Sequence, residues 1–280
     1  AVELQGKELS KIKVVVAGAG ASAIACANHY VALGVEMGNI VMCDSKGIMT
    51  KKRLDAGELN EFKAPFAVDR KNGDLAAALV GADVLLGLSK GGLVSGEMVA
   101  KMAEKPIIFA LANPTPEIMP HEIKAVRDDA IIATGRSDFP NQVNNVLGFP
   151  YIFRGALDVR ARDITQGMKM AATKALAALA KEPVPDYIAH AYSGEAMQYG
   201  SNYIIPKPFD RRVLIWEAAD VAEAAVMEGI AAIKPEDFNK QAYKESLEAR
   251  LGMSYSVMRG VFNQVKGRKK RIVFPEGDHE

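Results

Sequence analysis

A glycine-rich turn near the start of the chain has the residue types and spacing of a phosphate-binding site. Residues 18–23 fit the pattern G-x-G-x-x-A and follow an apolar, β-branched run at 11–17. Gly18 would allow a tight turn, Gly20 would leave room for a pyrophosphate, and Ala23 would let the following helix pack closely on the strand. The pyrophosphate would meet the free N–H groups that open that helix. We therefore predict a dinucleotide-binding turn made by Gly18, Gly20, Ala21, Ser22 and Ala23, although such a turn can also serve packing alone.

An acidic residue lies where a ribose-binding carboxylate is expected. Asp44 ends the second predicted strand, about two dozen residues after the turn. A carboxylate here accepts hydrogen bonds from free ribose hydroxyls and repels a 2′-phosphate, which favours NAD. Ser45, Lys46 and the basic run at 51–53 favour NADP, because a cation past the strand could neutralise that phosphate. The same cations could equally form a solvated helix face.

Asparagines follow the fourth and fifth predicted strands. Asn113 lies in the segment LANPTPE, and Asn144 and Asn145 end the segment GRSDFPNQVNN. In an open parallel sheet, ligands bind beyond the carboxyl ends of the strands. An asparagine amide can donate to a ligand carboxylate without adding charge. The alternatives are an Asn-Pro turn at Asn113 and helix caps at Asn144 and Asn145.

Alternating strand and helix patterns must position these groups. The predicted strands cover 11–17, 39–44, 82–89, 106–112 and 130–134, and the predicted helices between them cover 21–33, 75–80, 95–104 and 120–128. Such alternation implies right-handed crossovers and a sheet covered on both faces. The predicted fold class is α/β, a Rossmann-type doubly wound and mostly parallel sheet followed by a C-terminal helical segment.

After about residue 151 the strand signals stop. Helical patterns cover 163–181, 211–233, 238–251 and 254–266, and a basic linker then leads to a strand pattern at 272–274. We expect three parts, namely a nucleotide-binding domain at 1–160, helices packing on it at 161–266, and a linker with the start of a further domain at 267–280. Both ends of the chain look like cuts in a longer polypeptide.

The bulk composition excludes several function classes. The 280 residues carry a formal net charge of +1, so no global field attracts nucleic acid or an anionic membrane. No apolar run approaches the length of a membrane span. The two cysteines, Cys26 and Cys43, lie in apolar company and favour reduced thiols over a disulfide framework. We expect a cytoplasmic protein with no nucleic-acid or membrane partner.

Several segments together resemble one enzyme family. The order GAGASA, CDSKG, LANPTPE and TGRSDFPNQVNNVLGFPYIFRGALD is similar to that of bacterial malic enzymes, and YIIPKPFD at 203–210 also matches. The resemblance spans about residues 4–266. The tail KKRIVFPEG at 269–277 resembles the opening of a phosphate acetyltransferase domain, which points to the large hybrid malic enzymes that carry such a domain.

The resemblance implies oxidative decarboxylation of L-malate to pyruvate and CO2, with reduction of NADP or, alternatively, NAD. The hybrid enzymes mostly use NADP, so we expect NADP despite Asp44. By match to the family motifs, the glycine-rich turn would hold the pyrophosphate and Asp44 would lie at the adenosine ribose, with Ser45 and Lys46 beside it. Asn113 would contact both cofactor and substrate, and Asn145 would bind a malate carboxylate.

The resemblance places the remaining chemistry outside this chain. The family uses a lysine base, a tyrosine acid and a divalent cation, Mg²⁺ or Mn²⁺, held by carboxylates of an amino-terminal domain. We therefore assign no catalytic residue and no metal ligand here, and we expect a homo-oligomer acting on L-malate. The competing hypotheses are another NAD(P)-dependent dehydrogenase and a nucleotide-sensing module without catalysis.

Overall fold

The computed structural model describes residues 1–192 and 197–265, with side chains described up to residue 252. Its centre is a six-stranded sheet with the order β3-β2-β1-β4-β5-β6, in which only the β2–β3 pair is antiparallel. The strands are β1 Val14–Ala17, β2 Ile40–Asp44, β3 Gly47–Ile48, β4 Val84–Gly87, β5 Ile107–Ala110 and β6 Ile131–Thr134. The predicted doubly wound α/β fold is confirmed.

Five helices of the described chain lie between the strands, and five more follow the sheet. The connecting helices are α1 Ala21–Leu33, α2 Lys51–Asp55, α3 Leu75–Leu79, α4 Gly96–Ala100 and α5 Pro120–Lys124. The helices after the sheet are α6 Phe149–Asp158, α7 Gln166–Leu179, α8 Asp186–Tyr192, α9 Arg212–Met227 and α10 Lys240–Val265. The bounds predicted for the first helix are those observed for α1.

Each strand of the sheet sends alternate side chains to opposite faces. Val15 and Leu85 belong to the core under α3, α4 and α5, whereas Val14 and Val16 belong to the core under α1. Because strand side chains alternate with a period of two, one apolar run can fill two cores. This arrangement explains why the predicted strands read as nearly continuous apolar segments.

The helices after the sheet form a core of their own around α6, α7 and α9. A side chain at Gly155 of α6 would approach the Ala218 carbonyl oxygen of α9 to 2.4 Å, so the two helices cross closely. His29 of α1 lies 2.8 Å from the Thr173 hydroxyl of α7 and thereby links this helical segment to the sheet.

The structure corrects the helix predictions near the end of the chain. The predictions for the last residues lie outside the part that it describes. The helices predicted at 238–251 and 254–266 are wrong as separate elements, because residues 240–265 form the single helix α10. Gly252 lies inside this helix, where one glycine costs only about 1 kcal/mol, which the remaining turns can offset. The predicted linker and new domain at 267–280 lie outside the described residues.

Both edges of the sheet are short and covered. β3 has only two residues, and beyond it Thr50 bridges to Val68. At the other edge, the Asn141 side-chain amide donates to the Ile132 carbonyl oxygen at 2.9 Å and to the Ser201 carbonyl oxygen at 2.7 Å. Asn141 therefore links β6 to the segment that precedes α9 by hydrogen bonds.

Candidate cofactor site

The strand order reverses between β1 and β4, and a cleft opens at that point. From β1 the chain passes through α1 to β2 on one side, and it later returns to β4 on the other side. Open α/β sheets bind ligands at such a switch point. The cleft has a volume of about 950 Å³, and it is lined by Gly18, Ala19, Gly20, Asp44, Ser45, Lys46, Lys63, Asn72, Asp74, Ser89, Lys90 and Leu93, among others. A smaller cavity of about 500 Å³, beside Asp138 and Lys207, contains none of the predicted site residues.

The two glycines of the predicted phosphate turn meet different requirements. Gly18 has a φ of +125°, and a Cβ there would lie 2.6 Å from the Leu88 carbonyl oxygen, so only glycine fits. Gly20 has a φ of −83°, which any residue can adopt. A Cβ at Gly20 would meet nothing within 4 Å. Gly20 thus leaves open space in front of α1, where a ligand can approach the backbone.

The amino terminus of α1 offers unpaired backbone donors to this space. No side chain caps the helix, and its first internal hydrogen bond runs from the Ile24 N–H to the Gly20 carbonyl oxygen at 3.1 Å. Within the described residues, the N–H groups of Ala21, Ser22 and Ala23 therefore have no acceptor. Ala21 and Ser22 are exposed, whereas the Ala23 side chain is fully buried against the sheet, so Ala23 can meet a ligand only through its backbone.

Asp44 forms a bidentate ion pair with a buried arginine. Arg53 Nη2 lies 2.7 Å from Asp44 Oδ2, and Arg53 Nη1 lies 3.0 Å from Asp44 Oδ1. Arg53 also donates to the carbonyl oxygens of Gly47 and Ile48. The solvated-face interpretation is therefore wrong for Arg53, which is 7% exposed, although Lys51 and Lys52 are exposed.

The ion pair fixes the charge that Asp44 presents to the cleft. Burial acts to raise the pKa of Asp44, but hydrogen bonds from Arg53 and from the Lys46 N–H outweigh it and keep this pKa below its usual value. The carboxylate is thus ionised and its charge is balanced by Arg53. Oδ1 accepts two hydrogen bonds and Oδ2 accepts one, which leaves Oδ2 able to accept another.

Two lysines lie at the same end of the cleft. Lys46 Nζ is 3.2 Å from Glu58 Oε2, and this carboxylate oxygen also accepts from Arg53 Nε at 3.2 Å. Lys63 lines the cleft, and within the described residues it has no ion-pair partner. Sequence reasoning identified Lys46 and missed Lys63, because Lys63 is 19 residues from Asp44 and no local pattern connects them.

The asparagine loops lie beyond β5 and β6, outside the described cleft. Asn113 is exposed. Asn144 caps a short 3-10 turn, since its Oδ1 accepts from the Val146 N–H at 3.0 Å. Asn145 is exposed, and its side chain makes no hydrogen bond in the part of the chain that the structure describes. The cap alternative is therefore confirmed for Asn144, and the Asn145 amide remains able to bind a ligand.

A buried glutamate lies beneath the Asn145 turn. Glu217 of α9 is fully buried, and neither of its carboxyl oxygens has a partner among the described groups. Its Oε1 lies 3.8 Å from the position that a Cβ would take at Gly148. Because water is excluded, burial raises the pKa of Glu217 to about 9.

Comparisons with known proteins identify the family. The family described as "Malic enzyme, NAD binding domain" matches residues 1–188, about two thirds of the chain. The chain belongs to this family. The match begins before the phosphate turn and covers the cleft, Asn113 and Asn145.

Relatives of this malic enzyme domain are considerably longer than the chain. A probable NADP-dependent malic enzyme of Rickettsia prowazekii is 50% identical over 100% of this chain and 36% of its own length. An NAD-dependent malic enzyme of Rhizobium meliloti is 49% identical, again over 100% of this chain and 36% of that protein. The crystal structure of the Entamoeba histolytica malic enzyme superposes with a TM-score of 0.79, at 36% identity, over 96% of this chain and 54% of that one.

The described residues contain no metal centre and no membrane span. Within residues 1–192 and 197–252, no three His, Cys, Asp or Glu side chains are grouped closely enough to hold a metal ion. None of the helices described at 1–192 and 197–265 combines the length and the apolar character that a bilayer crossing requires.

Proposed function

We propose that the chain is the cofactor-binding part of a malic enzyme, which oxidises L-malate and decarboxylates it to pyruvate and CO2. The observation that carries the proposal is the cleft at the β1–β4 switch point, in a chain of the malic enzyme NAD-binding family. The open space at Gly20 and the free N–H groups of α1 form a cradle that fits a pyrophosphate. When bound, the nicotinamide cofactor supplies the hydride acceptor.

Polar groups of the cleft, and asparagines of the loops beyond β5 and β6, would hold different parts of the cofactor and the substrate. The α1 amino terminus would bind the pyrophosphate, because its N–H groups and the helix dipole favour an anion. Asp44 Oδ2 would accept a hydrogen bond from the adenosine ribose. Asn113 would contact the cofactor and the substrate, and Asn145 would donate its free amide to a malate carboxylate. These roles follow the family motifs.

We propose NADP as the preferred cofactor, with NAD as the alternative. The usual objection to NADP is that a carboxylate after β2 repels the 2′-phosphate. Here Arg53 Nη2 lies 2.7 Å from Asp44 Oδ2, so the arginine balances the charge of the carboxylate and removes most of that repulsion. Lys63, which has no ion-pair partner in the described ranges, and Lys46 and Ser45 could then bind the phosphate. The names of the two relatives, one NADP-dependent and one NAD-dependent, are compatible with either choice.

The described residues do not fit a Mg²⁺ or Mn²⁺ site by themselves, so we derive no step through a metal. We propose instead that the metal ligands, the general base and the general acid lie outside this chain, which spans 36% of the length of the curated relatives it matches. We further propose the division into 1–160, 161–266 and 267–280, a homo-oligomer, and a cytoplasmic location, which the free thiols of Cys26 and Cys43 favour.

Titration of the chain with NADPH, followed by fluorescence and by calorimetry, tests the proposal. We expect saturable binding of NADPH, weaker binding of NADH, and no oxidation of malate by the chain alone. Absence of binding for both cofactors would refute the cofactor site. Rapid malate oxidation by the chain alone would refute the assignment of the acid, the base and the metal ligands to another part of the enzyme.

A further inference from the structure

A buried carboxylate joins the loops that follow β4 and β5. Glu117 is fully buried. Its Oε1 accepts from the Ser89 N–H at 2.9 Å, and its Oε2 accepts from the Ala112 N–H at 3.0 Å. No lysine, arginine or histidine of the described ranges forms an ion pair with it. Both oxygens are therefore committed to backbone donors, one from each loop.

The backbone continues the same connection. The Glu117 carbonyl oxygen accepts from the Val94 N–H at 2.9 Å, and the Pro116 carbonyl oxygen accepts from the Gly92 N–H at 3.0 Å. Four backbone N–H groups, those of Ser89, Gly92, Val94 and Ala112, thus donate to Pro116 or Glu117. Glu117 accepts three of these four hydrogen bonds. Removing this side chain would loosen the junction at its centre.

The end of β4 is shaped to admit this carboxylate. A Cβ at Gly87 would lie 2.4 Å from the Glu117 carboxyl carbon and 2.5 Å and 2.8 Å from its two oxygens. Real side chains do not approach so closely, so a residue larger than glycine at this position would displace the carboxylate. Gly87 and Glu117 therefore act as a matched pair.

The two loops carry different parts of the site. The loop at 88–94 supplies Ser89, Lys90 and Leu93 to the cofactor cleft, while the loop at 111–117 carries Asn113. We infer that Glu117 is a positioning residue, whose carboxylate fixes the cofactor loop and the Asn113 loop in one relative arrangement. The inference rests on the proposed function. Glu117 itself touches neither ligand, because its oxygens are buried between the loops.

Replacement of Glu117 by glutamine tests the role with almost no change in shape. The amide keeps one accepting oxygen but turns an NH₂ group toward the other backbone N–H, so two donors face each other. A buried donor without an acceptor costs about 1–3 kcal/mol, which corresponds to roughly 5- to 150-fold in an equilibrium constant. We expect the NADPH dissociation constant of E117Q to rise about tenfold at a temperature where the variant is folded.

Glu122 provides a matched control. Its Oε2 also accepts a backbone N–H, that of Met119, at 2.9 Å, but Glu122 is exposed at the start of α5 and does not face the cleft. E122Q should lower the melting temperature slightly and leave NADPH affinity within about twofold. If E117Q and E122Q both keep the wild-type affinity, the positioning role is wrong.

Two further measurements cover the case in which E117Q does not fold. G87A moves the intact carboxylate from the opposite side, and we expect it to weaken NADPH binding as E117Q does. In the wild-type chain, hydrogen exchange should show protected amides at both Ser89 and Ala112, and fast exchange at either one would overturn the inference. A wild-type chain that binds no NADPH would refute the proposed function instead, so the two failures are distinguishable.

Discussion

Replacing Glu217 by glutamine should make the stability of the chain less dependent on pH. The wild-type side chain is fully buried with both oxygens unpartnered, and burial raises its pKa to about 9 from an ordinary 4.5. The folded state therefore keeps the proton in a pH range where the unfolded state has lost it. Glutamine imitates the protonated acid in shape and has no proton to lose.

The sign and the size of the effect follow from proton linkage. Between the two pKa values the unfolded chain binds fewer protons, so the free energy of unfolding falls by about 1.4 kcal/mol per pH unit as pH rises. At about pH 7.5 the accumulated cost is roughly 4 kcal/mol, a large part of the 5–15 kcal/mol typical of folded domains. The unpaired NH₂ of glutamine costs about 1–3 kcal/mol at every pH. The two stability curves should therefore cross between about pH 5 and 7.

Urea unfolding of E217Q and wild type at several pH values measures this difference. The variant should gain about 1.4 kcal/mol per pH unit relative to wild type between about pH 5 and 8.5. Glu223 supplies the control, because it lies on the same helix but is partly exposed and pairs with Lys240 at 2.7 Å. The free energy of unfolding of E223Q should differ from that of wild type by less than about 1 kcal/mol at every pH in this range. A flat difference for E217Q would show that Glu217 is ionised in the folded chain and would refute the reasoning.

Three other substitutions test the site. G20V should abolish NADPH binding while the melting temperature stays near wild type, because the new side chain fills open space at an ordinary φ; unchanged affinity would remove the turn from the site. K63Q should lower the NADPH-to-NADH affinity ratio about tenfold through loss of a charge-assisted hydrogen bond. Exposed Lys52 serves as the control, and an equal effect of K52Q would contradict the role given to Lys63. In a complete malic enzyme carrying this chain, N145A should lower kcat/KM for malate by roughly 10- to 100-fold with little change in melting temperature. N144A should lower the melting temperature instead through loss of the cap, and the reverse pattern would exchange the two roles.

Much of the sheet was predictable because its signals are local. The run at 11–17, the glycine pattern and Asp44 all lie within one strand–helix–strand unit, whose geometry the chain order fixes. The same logic located Asn113 and Asn145 at strand ends. The sequence analysis predicts no helix at 149–158, where Gly148, Pro150 and Gly155 are poor helix formers, yet a proline in the first turn of a helix is tolerated.

The rest of the site depends on contacts that no local pattern contains. Arg53 was grouped with Lys51 and Lys52 as one basic run, but only Arg53 turns inward, because Asp44 and two carbonyl oxygens accept its hydrogen bonds. Of the two glycines in the turn, only Gly18 has a positive φ, and the sequence pattern by itself does not distinguish that backbone requirement from the open space at Gly20. Glu117 lies in the LANPTPE segment, from which its role could not be predicted. Its carboxylate accepts from the Ser89 and Ala112 N–H groups, and Ser89 comes near only because the loop after β4 packs against this segment.

The covered edges of the sheet bear on how copies of this chain can associate. Exposed strand edges invite a second molecule to extend the sheet, a common route to dimers and to aggregates. Here Asn141 occupies the Ile132 carbonyl oxygen of β6, and β3 offers only two residues on the other side. A second molecule that approached the described sheet would therefore find little backbone to pair with, so contact with this part of the chain would rest on side chains of helices or loops. Substitutions of surface residues could then alter such contacts without disturbing the strands that carry the cofactor cleft.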